Sequence, residues 1–257
     1  MIKSLSGYSQ SEIWQKEAAA KLPVPYWRKF LRQPTIISNS GQSFVDRKEA
    51  GKLLAAQLNS FSGKGTVVLG IPRGGVVIAA EVASLLNTEL DVVLSRKIGA
   101  PGNPELGIGS VGEDGKLFIN EELALRVGAD TAYIEGQRRF QLGEIKKRVS
   151  LYRKIKPKVS LSGKRVIVTD DGIATGSTMQ SALFGIRQEK PEELIAAIPV
   201  AAKSAAFALM DYADQVIVLR EPEFLGAISQ FYDNFGQTSD EEVLHILKSF
   251  AKKADAG

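Results

Sequence analysis

The chain has 257 residues, 44% of them hydrophobic and 24% charged, a composition that suits one large domain or one domain with an extension. It contains no cysteine, which excludes disulfides and thiolate metal sites and fits a cytoplasmic protein. No apolar run approaches the roughly eighteen residues of a membrane helix, so the sequence predicts a soluble protein, and its net charge of +4 suits an anionic ligand without identifying one.

Residues 1–41 are predicted to form an N-terminal extension. A helix is predicted over 9–22, followed by the proline-broken aromatic stretch "PVPYWRKF" and the linker "SNSGQS". The segment "FVDRKEAGKLLAAQL" (44–58) then has apolar residues at helical spacing, with Asp46 as its predicted N-cap. A second domain is therefore predicted over 42–257.

Within this domain, short apolar strands alternate with helices. Strands are predicted over 66–71, 91–96, 165–170, 193–200 and 215–219, and helices over 74–86, 177–189, 202–212 and 239–253. Such alternation predicts an α/β fold with a parallel sheet that is covered on both faces. A long polar helix predicted over 130–156 interrupts the alternation and is expected to lie over the edge of the sheet.

The stretch "VIVTDDGIATGSTM" (166–179) places two carboxylates at the end of a predicted strand. Ligands of open parallel sheets bind beyond such strand ends. The backbone N–H groups of 173–178 can form an anion nest at the start of the next helix, whereas Asp170 and Asp171 suit sugar hydroxyls or Mg²⁺. One ligand that needs both features is a ribose with a 5-phosphate. The alternative interpretation of this stretch is an ordinary turn with solvated carboxylates and no ligand.

Two earlier loops also follow predicted strands. "GIPRGG" (70–75) offers glycine amides and an arginine to a diphosphate, although alone it is equally typical of a structural turn. "SRKIGAPGNPELGIGSV" (95–111) contains too much glycine and proline for regular structure. It is predicted to be a mobile lid, and the alternative is a long surface loop.

Together these three stretches resemble the type I phosphoribosyltransferase family. Residues 166–178 are similar to its thirteen-residue signature for phosphoribosyl pyrophosphate (PRPP), with Thr169 as a departure in the fourth apolar slot. In this order, 70–75 resembles the pyrophosphate loop and 95–111 the mobile loop of the family. The resemblance covers residues 42–257 and is closest to a group of uncharacterised, predicted phosphoribosyltransferases.

The resemblance implies a five-stranded, mostly parallel sheet with helices on both faces. A hood formed by 113–160 and part of the C-terminal region would lie over the strand ends. The implied activity is the Mg²⁺-dependent transfer of the 5-phosphoribosyl group from PRPP to a nitrogenous base with release of pyrophosphate, by a homodimer.

Residue roles follow from the same resemblance. Arg73, Lys97 and Glu105 are the predicted catalytic residues, with Glu105 near the base by analogy with adenine-type members. Asp170 and Asp171 would bind the ribose hydroxyls and Mg²⁺, the metal mostly through PRPP and water. The predicted PRPP-binding residues are Asp170, Asp171, Gly172, Ile173, Ala174, Thr175, Gly176, Ser177, Thr178, Arg73, Gly74, Gly75, Arg96 and Lys97.

Two further stretches leave alternatives open. Residues 138–158 carry nine Lys or Arg and one acid, which suits a solvated helix face or an RNA-binding surface. The rival function is therefore a non-catalytic regulator that senses PRPP or a nucleotide and binds RNA. In "FLGAISQFYDNF" (224–235), Phe224, Phe231 and Tyr232 could pack in the core or shape a base-stacking hood.

Overall fold

The computed structural model describes residues 32–254, so the helix and the aromatic stretch predicted within 1–31 lie outside the described residues. The strands are β1 (Thr35–Ser38), β2 (Thr66–Gly70), β3 (Glu89–Val92), β4 (Ser95–Ala100), β5 (Asn103–Gly112), β6 (Leu117–Ile119), β7 (Arg165–Thr169), β8 (Glu193–Val200) and β9 (Gln215–Arg220). The α-helices are α1 (Arg47–Gln57), α2 (Gly74–Leu86), α3 (Glu121–Arg126), α4 (Thr131–Tyr152), α5 (Ser177–Arg187), α6 (Lys203–Leu209) and α7 (Asp240–Ala254).

Six strands form one parallel sheet in the order β1-β9-β8-β7-β2-β3. The predicted α/β class is confirmed, and the sheet has one strand more than the five predicted. The additional strand is β1, which pairs with β9 and belongs to the compact unit that begins at Pro34. Its residues alternate between exposed and half-buried, so this edge strand lacks the continuous apolar run by which the central strands were recognised.

Apolar side chains cover both faces of the central sheet. In β7, Ile167 packs in the core that includes α1 and α2, whereas Val166 and Val168 pack in the core that includes α5 and α6. All three side chains are fully buried. Because neither face of this strand meets water, its sequence has no polar side, and the same holds for its neighbours.

The helices begin close to their predicted bounds. The structure gives α2 the predicted span of 74–86. Asp46 caps α1 as predicted, because its side chain accepts a 2.9 Å hydrogen bond from the Glu49 N–H. The long polar helix is α4, which begins after Asp130, whose side chain accepts a 2.7 Å bond from the Tyr133 N–H.

The segment 95–111 is a β-hairpin, so the prediction that it lacks regular structure was wrong. β4 and β5 pair antiparallel, and β6 completes a second, three-stranded sheet. An added Cβ on Gly99 would lie 2.8 Å from the Pro104 Cα, at a point where the strand register shifts. The glycines and prolines that suggested a loop therefore allow two irregular strands to approach each other.

A buried ion-pair cluster attaches the end of α4 to both sheets. Arg153 Nη1 lies 2.6 Å from Asp91 Oδ1 in β3, and its Nε lies 2.6 Å from Glu113 Oε2 beyond β5. The hairpin, α3, α4 and α7 also share an apolar core. Within residues 32–254, no helix is long and apolar enough to cross a membrane.

Candidate active site

The candidate site lies at the carboxyl ends of two neighbouring strands, β2 and β7. Gly70 pairs with Thr169, so the loops that follow leave the sheet side by side. An added Cβ on Gly75 would lie 2.7 Å from the Thr169 carbonyl oxygen and 2.8 Å from the Asp170 Cα. The predicted pyrophosphate loop therefore contacts the backbone of the aspartate pair, which requires glycine. In this loop the Pro72–Arg73 peptide bond is cis.

The two aspartates differ in their surroundings. Asp170 accepts a 2.9 Å hydrogen bond from the Asp171 backbone N–H. Burial, and after it the negative charge of Asp171, raises the pKa of the Asp170 carboxyl well above its usual value. Both residues are nevertheless half-buried and not fully enclosed. A carboxyl group in this state is stabilised by hydroxyl donors or by a cation, which are what a ribose diol and Mg²⁺ supply.

Arg47 is a residue of this site that the sequence did not reveal. It is the first residue of α1, and its Nε and Nη2 both lie 2.9 Å from Asp171 Oδ2. Its Nη1 donates to the Gly236 carbonyl oxygen at 2.8 Å. The only local signal was a helix start, and no sequence pattern links that helix start to a loop 124 residues later.

The C-terminal aromatic segment also supports Asp171. The Tyr232 hydroxyl donates to the Asp171 carbonyl oxygen at 2.6 Å, and burial raises the Tyr232 pKa, so this donor stays protonated. The Tyr232 ring stacks on Phe235 with centroids 5.1 Å apart. Phe231 and Tyr232 are buried in the core, whereas Phe224 is 80% exposed and remains a candidate for base stacking.

The predicted phosphate loop ends at the N-terminus of α5. Gly176 has a φ of 76°, which glycine adopts without strain, and it offers no side chain to cap the helix. The bond from the Ser177 N–H to Thr175 Oγ1 is long, at 3.5 Å. At its other end the loop is fixed to β8, because the Ile173 N–H donates to the Val200 carbonyl oxygen at 2.9 Å. An anion can therefore bind the first N–H groups of this helix.

Two of the predicted catalytic residues meet at this helix N-terminus. Lys97 Nζ lies 3.2 Å from Ser177 Oγ and 3.3 Å from Glu105 Oε2. Ser177 Oγ in turn donates to Glu105 Oε2 at 3.2 Å. The structure places the Glu105 carboxylate beside the phosphate loop, and its role near the base stays a prediction.

Replacing Glu105 should strengthen phosphate binding. In Glu105→Gln the side chain keeps its size but no longer competes as an anion for Lys97 and Ser177. Because the Glu105 side chain is 74% exposed, we expect a gain of only about two- to fivefold in affinity for inorganic phosphate. Isothermal titration measures it, with Glu122→Gln as a control for loss of an exposed ion pair elsewhere. Equal affinities in Glu105→Gln and wild type would contradict the competition.

The predicted arginines lie on a loop and on a strand. Arg73 directly precedes α2, in the pyrophosphate loop. Arg96 Nε, in β4, lies 3.1 Å from Gln141 Oε1 of α4. A cavity of about 230 Å³ has Arg96, Lys97 and Thr178 in its lining. The hairpin therefore brings two cations beside the phosphate loop.

A larger cavity lies away from the aspartate pair, between β5, β6 and the C-terminal half of α5. Its volume is about 340 Å³, and its ionisable lining residues are Asp91, Glu113, Asp114, Glu189, Lys116 and Lys158. Because acids outnumber bases in this lining, the cavity does not suit a phosphate ligand. The smaller cleft beside Lys97 is the better site for one.

Four of the nine basic residues on the predicted RNA-binding surface form ion pairs. The pairs join Arg138 to Glu135, Arg148 to Asp240, Arg153 to Asp91 and Glu113, and Lys158 to Glu189. Each pair offsets a charge that RNA phosphates would otherwise meet. These pairs lower the net positive charge of 138–158 without removing it, and the RNA-binding alternative stays a prediction.

The aspartate pair fits a metal that arrives with its substrate. Among residues 32–254, no cluster of three or more His, Cys, Asp or Glu could hold a metal ion. Mg²⁺ commonly takes one or two carboxylates and completes its coordination with substrate phosphates and water. Asp170 and Asp171 suit that arrangement, with Oδ2 of Asp171 already bound by Arg47.

The fold, with two glycine-rich loops and a hairpin beside the aspartate pair, is typical of the phosphoribosyltransferase class. Residues 44–235 match the family model of the phosphoribosyl transferase domain, and the chain belongs to this family. The family resemblance found in the sequence is thus confirmed.

Individual relatives agree with this assignment. Two curated Mycobacterium tuberculosis proteins, from strains CDC 1551 / Oshkosh and ATCC 25618 / H37Rv, are provisionally named phosphoribosyl transferases. Each is 39% identical over 215 residues, which cover 83% of this chain and 48% of the relative, so the chain spans about half their length. The crystal structure of the protein TT1426 from Thermus thermophilus is 44% identical, with a TM-score of 0.78 over 81% of this chain and 99% of that one.

Proposed function

We propose that this protein transfers the 5-phosphoribosyl group of PRPP to a nitrogenous base and releases pyrophosphate. The observation that carries the proposal is the contact between the aspartate pair and the pyrophosphate loop, with the phosphate loop continuing from the same aspartates. PRPP has a diol between two phosphate groups. The site has two carboxylates between two anion-binding loops, so the order of its groups matches the ligand.

Each part of PRPP has a matching group in the site. The 5-phosphate binds the N-terminus of α5 and the Ser177 hydroxyl. The ribose hydroxyls donate to Asp170 and Asp171. The diphosphate lies along residues 72–75, where Arg73 adds a guanidinium that suits phosphate oxygens.

The reaction is a displacement at ribose C1 with inversion. The acceptor nitrogen forms a bond to C1 as the bond between C1 and the diphosphate oxygen breaks, and the diphosphate leaves with the electron pair. Positive charge develops on the ring and negative charge on the departing group, where Arg73, Lys97 and the loop amides stabilise it. Mg²⁺, when bound with PRPP, would supply further positive charge to the diphosphate.

The acceptor base has a candidate position beside the ends of β8 and β9. A cavity of about 410 Å³ there is lined by Ala202, Lys203, Ser204, Pro222, Glu223 and Leu225. The Ala202 N–H donates to the Ile173 carbonyl oxygen at 3.0 Å, which ties the cavity to the phosphate loop. The exposed Phe224 ring follows Glu223 in the chain and suits stacking on a heteroaromatic acceptor.

Pyrophosphate release tests the proposal. Purified protein is incubated with PRPP and Mg²⁺ and with single members of a panel of purines, pyrimidines and other nitrogenous acceptors. We expect one acceptor class to yield pyrophosphate and its ribosylated product in equal amounts. PRPP binding without turnover on any acceptor would instead support the sensor alternative. The proposal includes a cytoplasmic homodimer, and light scattering measures the oligomeric state.

A further inference from the structure

We propose that Arg47 is a positioning residue that orients the Asp171 carboxylate toward the ribose diol. This inference rests on the proposed function. The family match covers 44–235, but it assigns no role to Arg47.

Arg47 is held on three sides. Nε and Nη2 contact Asp171, and Nη1 donates to the Gly236 carbonyl oxygen. The guanidinium carbon lies 3.9 Å from the centre of the Phe235 ring. Its side chain is only 11% exposed. A guanidinium with these contacts has little freedom to turn, so it can fix the rotamer of the carboxylate that it binds.

The contact occupies one oxygen of Asp171. Both short distances from Arg47 end on Oδ2, which leaves Oδ1 outside the ion pair. On Gly74, an added Cβ would lie 2.0 Å from Asp171 Oδ2 and 2.9 Å from Arg47 Nε, so the pair is packed against the pyrophosphate loop. Asp171 is therefore confined on the Oδ2 side, and Oδ1 is the oxygen that can meet a ribose hydroxyl.

The charge of Arg47 matters for an anionic ligand. Asp170 and Asp171 place two acidic groups where PRPP, which carries phosphates at both ends, has to bind. A guanidinium on Asp171 offsets one of these charges and still leaves an oxygen to accept a hydroxyl proton. Arg47 thus makes an aspartate compatible with a phosphorylated sugar.

The test compares ligands with and without the full diol. Dissociation constants are measured for ribose 5-phosphate, 2-deoxyribose 5-phosphate and inorganic phosphate. In Arg47→Met we expect affinity for ribose 5-phosphate to fall by about tenfold or more, the scale of one charge-assisted hydrogen bond. Affinity for 2-deoxyribose 5-phosphate and for inorganic phosphate should fall much less. The preference for ribose 5-phosphate over 2-deoxyribose 5-phosphate is therefore lost.

Matched variants separate positioning from general damage. Arg47→Lys keeps the charge without the fork of donors and should recover part of the ribose preference. Arg220→Met removes another stacked arginine, which lies 3.6 Å from the Phe44 ring centre and donates to the Gln42 carbonyl oxygen. This control should retain the full preference.

Two more variants keep the test decisive. If Arg47→Met does not fold, Phe235→Leu replaces it in the test, because this variant removes the stacked ring and keeps all charges. We expect it to lose less of the ribose preference than Arg47→Met would. In an Asp171→Asn background, Arg47→Met should have no further effect on that preference. If both Arg47→Met and Phe235→Leu keep the normal preference for ribose 5-phosphate, the role of Arg47 is overturned while the proposed function stands. Wild-type protein without any ribose preference would overturn the proposed diol site, and this inference with it.

Discussion

Asp170→Asn combined with Asp171→Asn should reduce PRPP affinity by about a hundredfold or more. Each carboxylate accepts from a ribose hydroxyl in the proposed complex, and a hydrogen bond to a charged group contributes about 1.5–3 kcal/mol. Two such losses correspond to at least two factors of ten in the dissociation constant. Calorimetry in the presence of Mg²⁺ measures the dissociation constant for PRPP. Unchanged affinity in the double variant would show that the aspartates are not the ribose site.

The two single variants should differ in stability. Asp171 is paired with Arg47, and both side chains are mostly buried, so Asp171→Asn leaves a guanidinium without its carboxylate and should lower the unfolding free energy. Asp170→Asn should leave stability unchanged or raise it near neutral pH. The raised pKa of Asp170 means that its ionised form is disfavoured in the folded protein, so its unfavourable contribution grows as pH rises. Thermal denaturation at pH 7 compares the stability of the two variants with that of the wild type. Asp170→Asn is the control, because it makes the same chemical change without breaking the ion pair with Arg47.

The features that sequence reasoning found are those fixed by neighbouring residues or by strand direction. β7 was recognised because its buried residues form a continuous apolar run. The contact of 70–75 with Asp170 agrees with the predicted parallel sheet, because the carboxyl ends of parallel strands share one edge of a sheet. Neither inference required knowledge of a distant contact.

The features that it missed depend on tertiary contacts. Arg47 reaches Asp171 only because α1 packs beside α2, so its site role has no local pattern. Gly99 looked like part of a loop, yet its small size allows close approach to Pro104 in the hairpin. Folding of that hairpin is also what brings Glu105 to Ser177, a contact that no local pattern indicated.

Lys97→Ala should lower kcat by about a hundredfold, the effect of removing one preorganised donor from a charged transition state. The family resemblance assigns Lys97 to the leaving diphosphate, where negative charge increases as the bond at C1 breaks. PRPP binding should weaken less, because the ground state carries less charge at that position. The measurement is steady-state turnover with the acceptor identified in the pyrophosphate assay, together with the dissociation constant for PRPP.

The position of Lys97 in the structure makes this a sharp test. Its Nζ lies 3.2 Å from Ser177 Oγ, on the phosphate loop, and 3.3 Å from Glu105 Oε2. A lysine that stays there would bind the 5-phosphate, whose charge does not change during the reaction. Its removal would then weaken ground state and transition state equally, raising KM for PRPP with kcat unchanged.

The expected fall in kcat therefore requires Lys97 to leave Ser177 once PRPP binds. The diphosphate of PRPP can cause this, because it carries more negative charge than the Glu105 carboxylate and competes with it for Lys97. Lys116→Ala is the matched control, because this lysine lies between β5 and β6, is 72% exposed and pairs with Asp114. It should leave both constants unchanged. A raised KM with normal kcat in Lys97→Ala would assign Lys97 to the 5-phosphate and leave Arg73 and the loop amides as the groups that stabilise the departing diphosphate.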